Sequence, residues 1–121
     1  MLKSYRDLLV WQKAIELVVR IYRFSAQFPS DEIYGLTAQL RRASVSVPSN
    51  IAEGYGRGSR REYIHFLLIA QGSIKELETQ VILAEKLDYS TAVATAEVLE
   101  RSEEVGKMLG GLIRALKQPS T

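Results

Sequence analysis

Residues 41–63 read RRASVSVPSNIAEGYGRGSRREY. How this stretch is parsed decides the fold. It holds five of the sixteen Lys and Arg of the chain, two tyrosines and three glycines. Pro48 stands inside an apolar pattern formed by Leu36, Leu40, Ala43, Val47, Ile51 and Gly54. Their spacings of three and four describe one face of a helix, and the phase does not change at Pro48. A proline inside a helix removes one backbone hydrogen bond and crowds the carbonyl four residues back, at about 3 kcal/mol. An alternative is a helix that stops near Val47 and restarts with Pro48 in its first turn. The unbroken phase favours one kinked helix. Ser44 and Ser46 then supply hydroxyls to the freed backbone groups. Asn50 is expected to turn inward with its amide hydrogen-bonded, since an unpaired buried amide costs about 1–3 kcal/mol. Pro48, Asn50 and Gly54 are thus assigned structural roles, and Glu53 with Arg57 four residues on fits an ion pair.

GYGRGSRRE is the strongest break in the chain. Its glycines end the second helix. Ser59 followed by Glu62 matches a capping box for the third. That helix repeats Tyr63, Phe66, Ala70, Ile74, Leu77, Val81, Ala84 and Leu87 on one face. Upstream, Leu8, Trp11, Ile15, Val18 and Tyr22 form the main stripe of a first helix, widened by Leu9, Ala14, Leu17, Val19 and Ile21. Phe28-Pro29 ends it, and Ser30 and Asp31 are natural cap residues. Downstream, DYS makes a short connection to a fourth helix. Ala92, Ala96, Leu99, Leu109, Ile113 and Leu116 read as its seam, and Val98, Val105 and Leu112 as a second stripe. QPST is read as a tail. The expected helices span about 7–27, 34–55, 60–87 and 91–117. Short connections make neighbours antiparallel, so the reading is all-α: one domain over residues 1–121, an up-down-up-down antiparallel four-helix bundle.

A chain of 121 residues without cysteine has no disulfide framework and no thiolate zinc site. No apolar run is long enough to span a bilayer, which points to a cytoplasmic protein without a membrane partner. Residues 1–75 carry eleven basic against six acidic side chains, and residues 76–121 carry five against eight. This imbalance suggests a polarised surface or contact between unlike faces. His65 is the only histidine. Glu62 to His65 is a single Glu-x-x-His match, where a di-metal bundle needs two. Glu76 and Glu78 cannot share a helix face, and GYGRG lacks the strand and the Lys-Ser/Thr of a phosphate loop. No catalytic residue, metal or cofactor is assigned, and the chain is read as non-enzymatic.

Arg57, Arg60 and Arg61 surround a glycine loop at a helix start, where free N–H groups and the helix dipole favour anions. Arg41 and Arg42 lie on the preceding helix, and Tyr55 offers a stacking face. The five arginines are candidate nucleic-acid-binding residues. Their ordinary reading is pairing with Glu53, Glu62 or another subunit. Apolar residues outside the main stripes argue for self-association.

The segments VWQKA, GLTAQLRRASVSVPSNIAEGYGRGS and ELETQ carry a family resemblance over about residues 8–89. The chain resembles the four-helix-bundle proteins encoded in intervening sequences of bacterial 23S ribosomal RNA genes. That family is similar to the accessory protein of diversity-generating retroelements. The resemblance implies a cyclic homo-oligomer, most simply a pentamer, with a basic surface that contacts RNA or DNA and a reverse-transcriptase-like protein. It implies the same five arginines as contacts. The net charge of +2 and the acidic fourth helix depart from the strongly basic retroelement proteins. The expected function is a non-enzymatic oligomeric scaffold that binds nucleic acid. The alternative is a protein–protein interaction scaffold without a nucleic-acid role.

Overall fold

The computed structural model describes residues 2–119. Ser120 and Thr121 of the expected tail lie outside the described residues. Helix α1 spans Leu9–Ser25, α2 Leu36–Tyr55, α3 Arg60–Lys86 and α4 Ala92–Lys117. Single 3-10 turns at Tyr5–Asp7 and Ser30–Glu32 precede α1 and α2. The regular helices therefore start up to two residues later than the periodicity suggested. Each helix packs on its chain neighbours and α4 closes on α1, with no close backbone approach between the diagonal pairs among the described residues. The result is an antiparallel four-helix bundle. The start of α1, the end of α2, the start of α3 and the end of α4 share one end.

The core joins Leu17 and Ile21 of α1 to Leu40, Val47 and Ile51 of α2, Leu67, Ile74, Leu77 and Val81 of α3, and Val105 and Leu109 of α4. Two seams differ from the sequence reading. In α1 the buried line is Val10, Ala14, Leu17, Ile21 and Ser25. The expected main stripe lies beside it: Ile15 and Tyr22 are 38% and 43% exposed. In α4 the buried line is Thr95, Val98, Ser102, Val105, Leu109 and Ile113, while Ala92 and Ala96 are exposed. Val98 and Val105 are thus core, not a second outer stripe. Between the expected Leu99 and Leu109 the line is completed by Ser102 and Val105, and the buried hydroxyls of α4 find partners. Thr95 bonds Ser90 at 2.9 Å, and Ser102 bonds the Leu99 carbonyl at 2.9 Å. In α3 the expected face holds up to Ala84, and Leu87 is exposed.

Helix α2 continues through Pro48, which is buried. The residue left without its helical donor is Ser44, four positions back. Asn50 is half-buried and hydrogen-bonded, but it reaches one turn, to the carbonyl of Ser46 at 2.8 Å and its Oγ at 2.9 Å. Ser73 of α3 donates to the same Oγ at 2.8 Å. The amide therefore anchors a hydroxyl bridge between α2 and α3. The Ser44 hydroxyl turns back to the Arg41 carbonyl at 2.8 Å.

The start of α2 is capped differently from expectation. Ser30 and Asp31 belong to the 3-10 turn, and Gly35 is the N-cap. The missing side-chain acceptor is Glu32, whose Oε1 takes the Leu36 N–H at 3.0 Å. Its Oε2 accepts from the Tyr89 hydroxyl at 2.8 Å, tying the α1–α2 connection to the α3–α4 turn. Gly35 leaves room for this, since a Cβ there would fall 2.5 Å from Oε1. At the same end Asp88 takes a left-handed φ of 64°, and Tyr89 N–H closes on the Ala84 carbonyl at 2.8 Å.

The Leu36 amide, and then the Tyr89 hydroxyl, hold the Glu32 carboxyl below the usual range. A carboxyl depressed in the folded state stabilises above its unfolded pKa, and that contribution is lost as pH falls through the folded pKa. Glu32→Ala is therefore expected to lower the urea midpoint at neutral pH. The difference from wild type should shrink as both are acidified below about pH 4. A difference constant with pH would mean that the carboxylate charge plays no part.

Candidate nucleic-acid interface

The loop between α2 and α3 is built by glycine and a hydroxyl cap. Gly56 N–H and Arg57 N–H return to the carbonyls of Ala52 at 3.1 Å and Gly54 at 3.2 Å. Gly58 then turns the chain with φ 84°, a conformation that suits glycine. Ser59 Oγ accepts the Glu62 N–H at 3.2 Å and donates to its carboxylate at 3.3 Å. The hydroxyl half of the expected capping box forms, while the carboxylate bonds the same hydroxyl. Glu62 thus places a negative charge in the first turn of α3.

The five candidate arginines do not form one patch. Arg41 donates to Ser25 Oγ at 2.8 Å and to the Tyr22 carbonyl at 3.3 Å. Its guanidinium stacks on the Tyr22 ring at 4.6 Å. It is held on the last turn of α1. Arg42 is exposed in a polar cleft with Gln39, Ser46 and Glu76. It lies about 20 Å from the end of α2, at 1.5 Å per residue. Arg57 pairs with Glu53 at 2.9 Å, as the spacing implied, and its guanidinium sits 4.9 Å from the Phe66 ring centre. Arg60 donates to the Gln118 carbonyl at 3.3 Å, linking the start of α3 to the end of α4. Arg61 is exposed beside it.

The topology brings Arg57, Arg60 and Arg61 together with cations distant in sequence. Lys3 and Arg6 precede α1, and Arg114 and Lys117 form the last turn of α4. The Arg114 guanidinium turns back along α4 toward Gly110 and Gln71, and the other six share that end with Asp7, Glu53 and Glu62 among the described residues. The other end carries Arg23, Lys86 and the Arg41 guanidinium against Asp31, Glu32, Glu85 and Asp88. Charge polarity therefore runs along the bundle axis. No local signal could have found Arg114 and Lys117, because antiparallel closure of α4 delivers them. Between them, Arg60, Arg61 and Lys117 rim a shallow pocket of about 520 Å³ with Ile64, Leu116 and Pro119 on its walls. Tyr55 is not a free stacking platform. It is half-buried, edge-on to Tyr63 at 6.0 Å. The Tyr63 hydroxyl is buried without a hydrogen-bond partner among the described residues, and desolvation, then Tyr55, raises its pKa.

His65 is exposed on α3, edge-on to Phe66 at 5.3 Å. No group of three or more potential metal ligands occurs among the described residues. No helix among them is long and apolar enough to cross a membrane.

The model of the 23S rRNA-intervening sequence proteins matches residues 6–111. The chain belongs to the 23S rRNA-intervening sequence protein family. A crystal structure from Bacteroides thetaiotaomicron, a protein with unknown function from the S23 ribosomal protein family, is similar in fold, with a TM-score of 0.79 and 28% identity. The match covers 88% of this chain and 99% of that one. No curated protein matches the sequence. The intervening-sequence protein match takes in α1, α2 and α3 whole and ends at Gly111, within α4.

Proposed function

We propose that this intervening-sequence protein is a non-enzymatic oligomeric scaffold whose basic end binds RNA or DNA. The observation that carries this reading is the gathering of six cations, Lys3, Arg6, Arg57, Arg60, Arg61 and Lys117, at one end of the bundle. A polyanion gains affinity there by releasing counterions, with no need for base-specific contacts. The pocket under Arg60, Arg61 and Lys117 adds apolar surface beside the charges. Arg42 is too distant to join the same contact on one protomer, and Arg41 serves the α1–α2 packing. The resemblance to the retroelement accessory proteins supports five copies in a ring and a reverse-transcriptase-like partner. A second reading, a scaffold for protein partners alone, is favoured by the exposed apolar residues on α1 and α3, including Val19, Leu68, Ile82 and Leu83.

The test is binding to structured RNA, single-stranded DNA and duplex DNA across a salt series. Replacing Arg57, Arg60 and Arg61 together with alanine should reduce affinity at least about tenfold. It should also flatten the log–log salt slope by about 0.7–0.9 for each phosphate that is no longer neutralised. The fold should persist, because the Arg57–Glu53 pair is exposed and such pairs contribute little. Absence of wild-type binding at low salt would overturn the nucleic-acid reading in favour of the protein scaffold.

A further inference from the structure

A groove of about 720 Å³ runs along the α3/α4 seam. Its size is that of a small-molecule site. Ile74 and Gly106 meet at its floor, where a Gly106 Cβ would stand 3.6 Å from Ile74. Leu68, 46% exposed, and Gly72 stand one turn apart on its α3 side. A Cβ at Gly72 would meet nothing within 4 Å. Packing within the chain therefore does not require glycine there, although alanine is the better helix former.

The two ends of the groove differ. Antiparallel packing sets Gln71 beside Gly110, and Glu78 against Ser102. Arg114 folds back one turn along α4. Its Nη1 lies 3.4 Å, and the Gln71 Nε2 lies 3.5 Å, from the point where a Gly110 Cβ would stand. Its Nη2 lies 3.9 Å from the matching point at Gly111. Donors from both helices thus converge over Gly110 with no acceptor between them. The side chains of Arg114, Gln71 and Lys107 make no hydrogen bond or ion pair among the described residues. At the other end the carboxylate of Glu78 is engaged by Ser102 at 2.7 Å and by Lys75 at 3.4 Å. Glu103 is exposed on that rim, about 10 Å from Gly110 at 1.5 Å per residue.

Charge selects the ligand class. Lys75, Lys107 and Arg114 against Glu78 and Glu103 leave a surplus of one positive charge. That surplus offsets a single negative charge, and the guanidinium fork fits a planar carboxylate. A phosphate monoester carries up to about two negative charges, more than the groove offsets. We propose that the α3/α4 groove binds a small organic monocarboxylate. Its head lies against Arg114 and Gln71, and its apolar body runs along Leu68, Ile74 and Gly106. The site is separate from the basic end, whose six cations do not border it.

Sodium octanoate is the probe, with octan-1-ol, octylammonium and octyl phosphate as its charge variants. Titration calorimetry at low salt should give a one-to-one complex with octanoate. The other three should bind at least about tenfold more weakly, the worth of a charge-assisted hydrogen bond. Backbone amide shifts on adding octanoate should cluster at Gly72, Gly106 and Gly110. Arg114→Gln should weaken octanoate about tenfold without changing the binding of octan-1-ol. Gly72→Leu fills the groove with no clash inside the chain and should abolish the complex. Both variants should keep their helical circular dichroism. No saturable octanoate binding in the millimolar range overturns the proposal. So does octan-1-ol or octylammonium binding as tightly as octanoate, or an Arg114→Gln chain that binds octanoate like wild type. Amide shifts centred on other exposed apolar residues, such as Val19 or Leu83, overturn the site. Octyl phosphate bound as tightly as octanoate overturns the monocarboxylate assignment.

Discussion

Gly54→Ala is expected to destabilise the bundle by about 1–2 kcal/mol, although alanine is the better helix former. Gly54 is buried where α2 meets the start of α3. A Cβ there would fall 2.8 Å from Phe66 Cβ, and 3.2 Å from both the Tyr63 ring and the Tyr63 carbonyl oxygen. The first and last of these belong to the α3 backbone or sit one bond from it, so no side-chain rotation relieves them. The two helices must separate. Overpacking of this kind costs about 1–3 kcal/mol, and the helix propensity of alanine returns at most about 1 kcal/mol. Separation at Gly54 also strains the Ser46–Ser73 bridge about two turns away. Urea denaturation with an unchanged slope checks the prediction. An unchanged or raised midpoint would mean that α3 shifts freely, and that the close approach is not tightly held.

Ser102→Ala is expected to cost about 1.5–3 kcal/mol, the range for a hydrogen bond to a charged partner. Ser102 is fully buried in α4, and its one hydroxyl hydrogen is shared between Glu78 Oε2 at 2.7 Å, across the α3/α4 contact, and the Leu99 carbonyl at 2.9 Å. The Glu78 side chain is only 15% exposed, and its other oxygen has a loose bond to Lys75 at 3.4 Å from a largely solvated amine. Without the hydroxyl, a mostly desolvated carboxylate keeps one weak partner. The dependence on charge is testable. In a Glu78→Gln background the same substitution should cost clearly less. Equal costs in both backgrounds would assign the loss to a packing defect.

Both sites lie on seams between helices. The α2/α3 contact at Gly54 fixes the loop that carries Arg57, Arg60 and Arg61. Substitution at Gly54 should therefore also reach nucleic-acid binding through geometry, without touching a ligand.

Which elements exist was legible in the sequence, because the causes are local. Phe28-Pro29, GYGRG with Ser59, and DYS break the chain wherever it packs, and the phase from Leu36 to Gly54 carries one helix through Pro48. The family resemblance was legible for the same reason, since its motifs are contiguous. Only the tertiary structure decided which side of a helix is inside. The first helix has two apolar stripes, and period alone cannot rank them. Contact with α2 and α4 buries Ala14, Leu17 and Ile21 and leaves Ile15 and Tyr22 in water. Apolar periodicity also passed over Thr95 and Ser102, which become core by satisfying their hydroxyls there. The arginines obey the same division. Their number and the loop beneath three of them could be read directly. That Arg41 is engaged at the end of α1, and that Lys117 joins Arg60 and Arg61, follows from antiparallel closure, which sets distances between residues that sequence separation does not.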